Sequence, residues 1–291
     1  MAYLGLNLLN NTVAGSARDP GLVLGRFHDR KLHEHWALID KGSSAARALS
    51  NLLWMSLPWK HIAEKLGPLH VVDVGCGSGE YGARLEQWSG LRFASYTGLD
   101  RTRSPNWDKL RTAHPHFRFV AADAERIRDH LPEDANVFIS QSALEHVAGD
   151  LEYFRAVHEF IVSRRRQSVN IHLVPGPLAL PLYLCHGIRQ YSLRTLSYIS
   201  RLFGGCARTD CFGLGGWRAT QLHFRSITLP ILLRRGGDLR GDPSYDQELK
   251  AAITADMEQP SSLPIFYALV IQAYLDQDIL RSNQDDLQPW Q

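Results

Sequence analysis

The sequence predicts an α/β protein built on a seven-stranded, mostly parallel sheet with helices on both faces. Three observations carry that prediction. From residue 69 onward, short apolar runs alternate with amphipathic, helix-spaced stretches. The glycine-rich string VVDVGCGSGEYG, residues 71 to 82, joins the first such run to the first such stretch. The chain has 291 residues, enough for one large α/β domain with insertions or for two small domains, and enough to bury a substantial core. Strands that alternate with helices argue for parallel neighbours covered on both sides.

Residues 1–66 read as a helical N-terminal cap. SSAARALSNLLWMSL opens on a capping serine and places Ala46, Leu49, Leu52 and Leu53 at helical spacing. PWKHIAEKLG begins with proline and ends with glycine, as a short helix prefers. Residues 67–291 then form the main domain. LHVVDVG is its first strand, and YGARLEQWSG is a helix closed by Gly90. FASYTGLD, ending at Asp100, and FRFVAAD, ending at Asp123, are the second and third strands. ANVFISQ is the fourth, with DLEYFRAVHEFIVSR as an amphipathic helix behind it, and QSVNIHLVP is the fifth. An insertion of about 176–260 precedes the last strand. It holds a capped helix in SLRTLSYISRLFG, an extended segment in CARTDCFGLGG and a helix opened by Asp242 and Pro243. PIFYALVIQAYL reads as a late strand or a strand running into a helix.

Composition narrows the function classes. The formal net charge is +2, with 44% apolar and 21% charged residues, which gives no electrostatic case for nucleic acid or a membrane surface. No apolar run reaches the roughly 18 residues of a membrane span, and LVPGPLALPLYLC is broken by three prolines. The N-terminus lacks the basic region of a signal peptide. Cys76, Cys185, Cys206 and Cys211 match no zinc spacing and are expected to be reduced thiols, so a cytoplasmic location is expected. In HEHW, His33 and His35 are two residues apart and do not share a helical face, and no metal site is expected.

A strand, a glycine loop and a helix in succession form a general nucleotide-binding arrangement. Two frames fit. Gly77-x-Gly79-x-x-Gly82 satisfies the dinucleotide pattern but leaves Gly75 and Cys76 as extra strand residues. Asp73-x-Gly75-x-Gly77-x-Gly79 ends the strand at Val74 and puts its first glycine in the turn. It also buries an acid, so Asp73 needs a partner such as a ligand ammonium or loop amides.

On these residues the sequence resembles the class I S-adenosylmethionine-dependent methyltransferases, in their small-molecule branch. VVDVGCGSGEYGARL is similar to their first motif, YTGLD to the second strand, FVAADAERI to the next motif, and NVFISQSALEHV to the fourth strand and its turn. The likeness spans roughly residues 65 to 175. It implies a Rossmann-like sheet, S-adenosylmethionine as cofactor and methyl transfer as activity. It assigns Asp100 to both ribose hydroxyls and Asp123 to the adenine amino group. The donor site is expected to comprise Asp73, Gly75, Cys76, Gly77, Gly79, Asp100, Arg101, Asp123, Ala124 and Gln141. The residues agree: the loop carries no phosphate-binding lysine, and a carboxylate suits two vicinal hydroxyls. That carboxylate geometry would serve NAD equally well. An NAD(P)-dependent oxidoreductase and a non-catalytic ligand-binding protein are therefore the competing readings, and Asp123 followed by Ala124 favours the methyl donor.

Methyl transfer from a sulfonium depends chiefly on alignment, worth about 7–11 kcal/mol. A base near the methyl helps a hydroxyl acceptor, the favoured class. His146, beyond the fourth strand, is the candidate base, with Glu145 orienting it or touching the cofactor. The other reading is that Leu-Glu-His only positions the cofactor or the loop. His186, Arg189, Gln190 and Tyr191 cluster in HGIRQYS and could line a pocket for a small-molecule substrate, with His186, Arg189 and Tyr191 as the candidate contacts, against a helix cap with a solvated face. His172 is read as a hydrogen-bonded core histidine. Trp54, Trp59 and Trp107 are read as packing residues, with Trp107 able to border the adenine. No Asn-Pro-Pro-Tyr-type string follows the fourth strand, which argues against a nucleic-acid acceptor.

Overall fold

The computed structural model describes residues 5, 6, 9, 19–182, 187–233, 237–260, 263–275 and 287–289. A nine-stranded sheet organises them. Its strands are β1 (Leu22–Phe27), β2 (His70–Val74), β3 (Ser95–Asp100), β4 (Phe117–Ala121), β5 (Val137–Gln141), β6 (Ser168–Pro175), β7 (Ala207–Leu214), β8 (Phe266–Ala273) and β9 (Leu287–Pro289). Their order across the sheet is β4-β3-β2-β5-β6-β8-β7-β1-β9. β8 runs antiparallel to β6 and β7, and β9 runs antiparallel to β1; every other pair is parallel.

The seven expected strands all form, and two more extend one edge. β1 corrects the reading of residues 1–66 as helical. LVLGRF pairs in parallel with β7, from Leu22 opposite Thr209 to Arg26 opposite Gly213. Six residues flanked by helical patterns carry too little periodicity to announce a strand, and a partner nearly two hundred residues away decides it.

Alternation along the strands splits the core in two. Val71, Val137, Ile139, Val169 and Ile171 join one apolar cluster with the helix α2 (Ala45–Ser56). Val72, Val74 and Phe138 join the other, against α6 (Asp150–Arg164) and α8 (Leu193–Phe203). Successive side chains point to opposite faces, so strands apolar at every position need cover on both. Every residue of β6 and of β8 is buried.

The remaining helices are α1 (Leu32–Trp36), α3 (Trp59–Leu66), α4 (Glu80–Ser89), α5 (Asn106–Ala113), α7 (Ala179–Leu182), α9 (Trp217–His223), α10 (Leu229–Leu232) and α11 (Tyr245–Glu258). As the capping serine predicts, Ser44 Oγ accepts from Arg47 N at 3.3 Å. The insertion ties back to the N-terminal segment: Tyr245 Oη donates to Ser43 O at 3.0 Å, and Gly42 N donates to Asp246 Oδ1 at 2.9 Å. Among the described residues no helix is long and apolar enough to cross a membrane.

β2 lies between β3 and β5, where the chain reverses its direction of travel across the sheet. Such a switch point opens a crevice at the carboxyl ends of the strands.

Candidate active site

The strand ends at Val74 and turns at once. Gly75 N and Cys76 N both donate to Leu99 O, at 2.7 and 3.0 Å. Gly75 is thus the first glycine of the turn, and the frame Asp73-x-Gly75-x-Gly77-x-Gly79 is the one realised. Gly82 belongs to packing: a Cβ there would lie 2.7 Å from Tyr96 and 3.0 Å from Phe117.

The glycines divide their duties. A Cβ on Gly75 would come within 2.2 Å of the Ala143 Cβ, so its bareness lets the glycine loop meet the turn after β5. Gly77 has φ +54 and nothing within 4 Å of an added Cβ, so it alone of the two faces open space in a left-handed conformation. Trp107, in α5, donates Nε1 to Gly77 O at 2.9 Å and stacks on Phe119, so it braces the loop from behind.

Asp100, at the tip of β3, accepts from Gly77 N and Thr102 N, each at 2.9 Å. A carboxylate has about four acceptor positions, so two remain for a ligand. Asp73 is buried beneath the loop and accepts from Tyr96 Oη at 2.5 Å. That hydroxyl is the partner its burial demanded. Burial pushes its carboxyl up to about 7, against the pull of the Tyr96 hydrogen bond and with a push from the Asp100 charge. Cys76 is buried as well, and burial raises its thiol far above the usual range.

Two cavities open on this crevice. The first, of about 760 Å³, is lined by Gly75, Asp100, Arg101, Asp123, Ala124 and His146, and also by Thr102, Glu125, Ser142 and Ile188. The second, of about 450 Å³, is lined by Gly75, Cys76, Gly77, Gln141, Glu145 and His146, together with Arg47, Tyr81 and Gln190. Gly75, Ser142 and His146 line both. Ser142 has φ +48, a left-handed conformation at a non-glycine residue right after β5. No feature of SQSALEHV signals it.

His146 ends a short 3-10 turn, Leu144–His146, and its side chain is 46% exposed. The Glu145 carboxyl is buried, with Oε1 4.0 Å from His146 Nε2, beyond hydrogen-bond reach. Burial raises the Glu145 carboxyl to about 7, and its Oε2 has no hydrogen-bond partner. Gln141 accepts from Trp54 Nε1 at 2.6 Å, which sets it on the second cavity rather than the first.

The other expected contacts fall differently. Arg189 pairs with Asp150 and donates Nη2 to Ala148 O at 2.7 Å. Tyr191 is buried and donates to Asp150 Oδ2 at 2.6 Å. Both anchor the start of α6 and line neither cavity, whereas Gln190 of the same cluster lines the second and the neighbouring Ile188 lines the first. The segment alternates in direction, and the sequence does not say which parity faces in. His186 lies outside the described residues. His172 is a core histidine bonded to Ser140 Oγ at 2.9 Å, and burial lowers it to about 3. His35 bonds Asp29 at 2.9 Å in α1, away from both cavities.

The family described as Methyltransferase domain matches residues 72–161, the stretch from β2 through most of α6 that builds this crevice. Residues 72–161 are a methyltransferase domain. No curated protein matches the sequence. Solved structures similar to the chain include a SAM-dependent methyltransferase from Archaeoglobus fulgidus, 16% identical, covering 79% of this chain and 95% of its own, with a TM-score of 0.45. A SAM-dependent methyltransferase from Mesorhizobium loti is 16% identical over 74% of this chain and 95% of its own, at 0.44. The YcgJ protein of Bacillus subtilis is 14% identical over 77% and 99%, at 0.46. Overlays this loose say nothing of the methyltransferase's acceptor.

The resemblance of the sequence implies S-adenosylmethionine as cofactor. The residues fit it. The first cavity falls in the roughly 300–1,000 Å³ range of small-molecule pockets. Asp100 keeps two acceptor positions for a ribose, and an added Cβ at Gly77 would project into the open space beside it.

Proposed function

We propose that the methyltransferase methylates a hydroxyl of a small or medium-sized polar acceptor, such as a glycan unit or a secondary metabolite, held in the second cavity. One observation carries this reading. Among the described residues, His146 is the one titratable side chain that lines both cavities. A base that serves methyl transfer has to reach donor and acceptor together.

Asp100 holds the ribose, and Arg101, Asp123 and Ala124 bound the nucleoside in the first cavity. Gly75 to Gly79 bring bare backbone to the amino-acid end, with Asp73 and Cys76 as the floor beneath. Bound S-adenosylmethionine supplies an electrophilic methyl group. Arg47, Tyr81, Gln141 and Gln190 give the second cavity hydrogen-bonding groups on several walls, which suits an acceptor with several hydroxyls. The His146 imidazole takes the acceptor's proton, with the buried Glu145 carboxyl 4.0 Å from its Nε2.

Release of S-adenosylhomocysteine in the presence of polyhydroxylated acceptors tests the reading. With an acceptor found, His146→Ala is expected to lower kcat by about 10²- to 10⁴-fold while donor affinity stays within about twofold. An unchanged kcat would remove His146 from the chemistry and leave it a positioning residue.

A further inference from the structure

A second cluster of side chains lies apart from both cavities, on the flank of the sheet that ends in β4. Glu86 sits in α4, one turn beyond Gly82. His114 and His116 flank Pro115 just before β4, the edge strand. Glu86 Oε2 is 3.3 Å from His114 Nδ1, and Oε1 is 2.8 Å from His116 Nε2. One donor atom from each of the three lies within 4.8 Å of the others. All three side chains are largely buried, at 12%, 29% and 14% exposure for Glu86, His114 and His116.

The surroundings hold these donors in place. Phe93 N donates to Glu86 Oε1 at 2.7 Å, and the His114 ring stacks on Phe117 with centroids 4.6 Å apart. Gly82 lets α4 sit close upon Tyr96 and Phe117, which brings Glu86 over the two imidazoles. Such outer support is what fixes the ligands of a metal centre.

We propose that Glu86, His114 and His116 form a binding site for a first-row divalent cation of the zinc type, with a fourth position open to water. Two imidazoles and one carboxylate are a donor set that zinc accepts. Tetrahedral bonds of about 2.0–2.1 Å set ligand atoms roughly 3.3 Å apart. Glu86 Oε2 stands that far from His114 Nδ1, and His116 Nε2 faces the other oxygen, Oε1, at 2.8 Å, so a small turn of the carboxylate would bring one oxygen to a cation shared with both rings. The sequence hides the site because Glu86 and His114 are 28 residues apart on different elements. The cation would fasten α4, which leaves the glycine loop, to the strand that leads to Asp123.

Calorimetric titration of the metal-stripped full chain with Zn²⁺ tests this. One cation per chain is expected, with a rise in Tm of about 3–6 °C at saturation. Glu86→Gln and His114→Asn should each bind at least about 10-fold more weakly, with circular dichroism melts in zinc-free buffer showing that each variant is folded. Co²⁺ titration of the unaltered chain adds a reading that needs no variant to fold: visible ligand-field bands of a tetrahedral site should appear. No uptake of Zn²⁺, no Co²⁺ bands, or uptake equal in the folded variants and the unaltered chain would overturn the proposal.

Discussion

The two halves of the crevice are built in different ways. In the first cavity, the groups that face inward sit at the tips of consecutive strands: Gly75 after β2, Asp100 ending β3, and Asp123 just past β4. Each is placed by a strand end, and strand ends are legible in a sequence. In the second cavity, part of the glycine loop is joined by α2, the turn after β5 and the segment around Gln190. These pieces are far apart in the chain, and packing alone brings them together. The lesson is that a cofactor site can be a property of local order along the chain, whereas an acceptor site is a property of assembly.

Three substitutions sharpen that contrast, from the largest expected effect to the smallest. Asp100→Ala should strike the donor side alone. It removes a carboxylate that anchors the loop through Gly77 N and would hold two ribose hydroxyls. Hydrogen bonds to charged groups are worth about 1.5–3 kcal/mol each, so calorimetry should show S-adenosylhomocysteine binding at least about 100-fold weaker. Retained affinity would break the distinction drawn between the halves.

Glu145→Gln probes the acceptor side through pH. Burial raises the Glu145 carboxyl from 4.5 to about 7 in the folded chain, so the native state holds a proton that the unfolded state has released. Its contribution to stability is present below pH 4.5 and is lost as pH rises to about 7, amounting to roughly 3 kcal/mol. Denaturant melts between pH 4.5 and 8 should show a shallower decline in Glu145→Gln. The share due to Asp73, also raised to about 7, should persist. An unaltered slope would mean that the carboxyl is solvated.

Arg189→Ala should cost about 1–2 kcal/mol of stability, because Asp150 stays buried with only the neutral donors Tyr191 Oη and Leu151 N, and the pair's partial exposure moderates the loss. Denaturant midpoints measure this. Donor affinity should not move. A change in acceptor KM would instead return Arg189 to the substrate site.

How much of this the sequence disclosed follows the same division. The seven core strands, the α6 helix and the strand tips that line the first cavity were readable because period, acids and glycines coincide there. β1 was not, since its pairing with β7 is a tertiary fact. Of the HGIRQYS cluster, Gln190 faces the second cavity and Arg189 and Tyr191 turn away, because parity in an irregular segment has no sequence marker. Ser142 and the Glu86–His114–His116 cluster depend on backbone geometry and on distant contacts, and neither leaves a spacing to read.

A crystal structure of the chain with S-adenosylhomocysteine tests the central claim most directly. The account predicts the ribose hydroxyls on Asp100 and the sulfur beside the wall that Gly75, Ser142 and His146 share, with the second cavity left beyond it. A ribose away from Asp100, or a sulfur turned from His146, would contradict it.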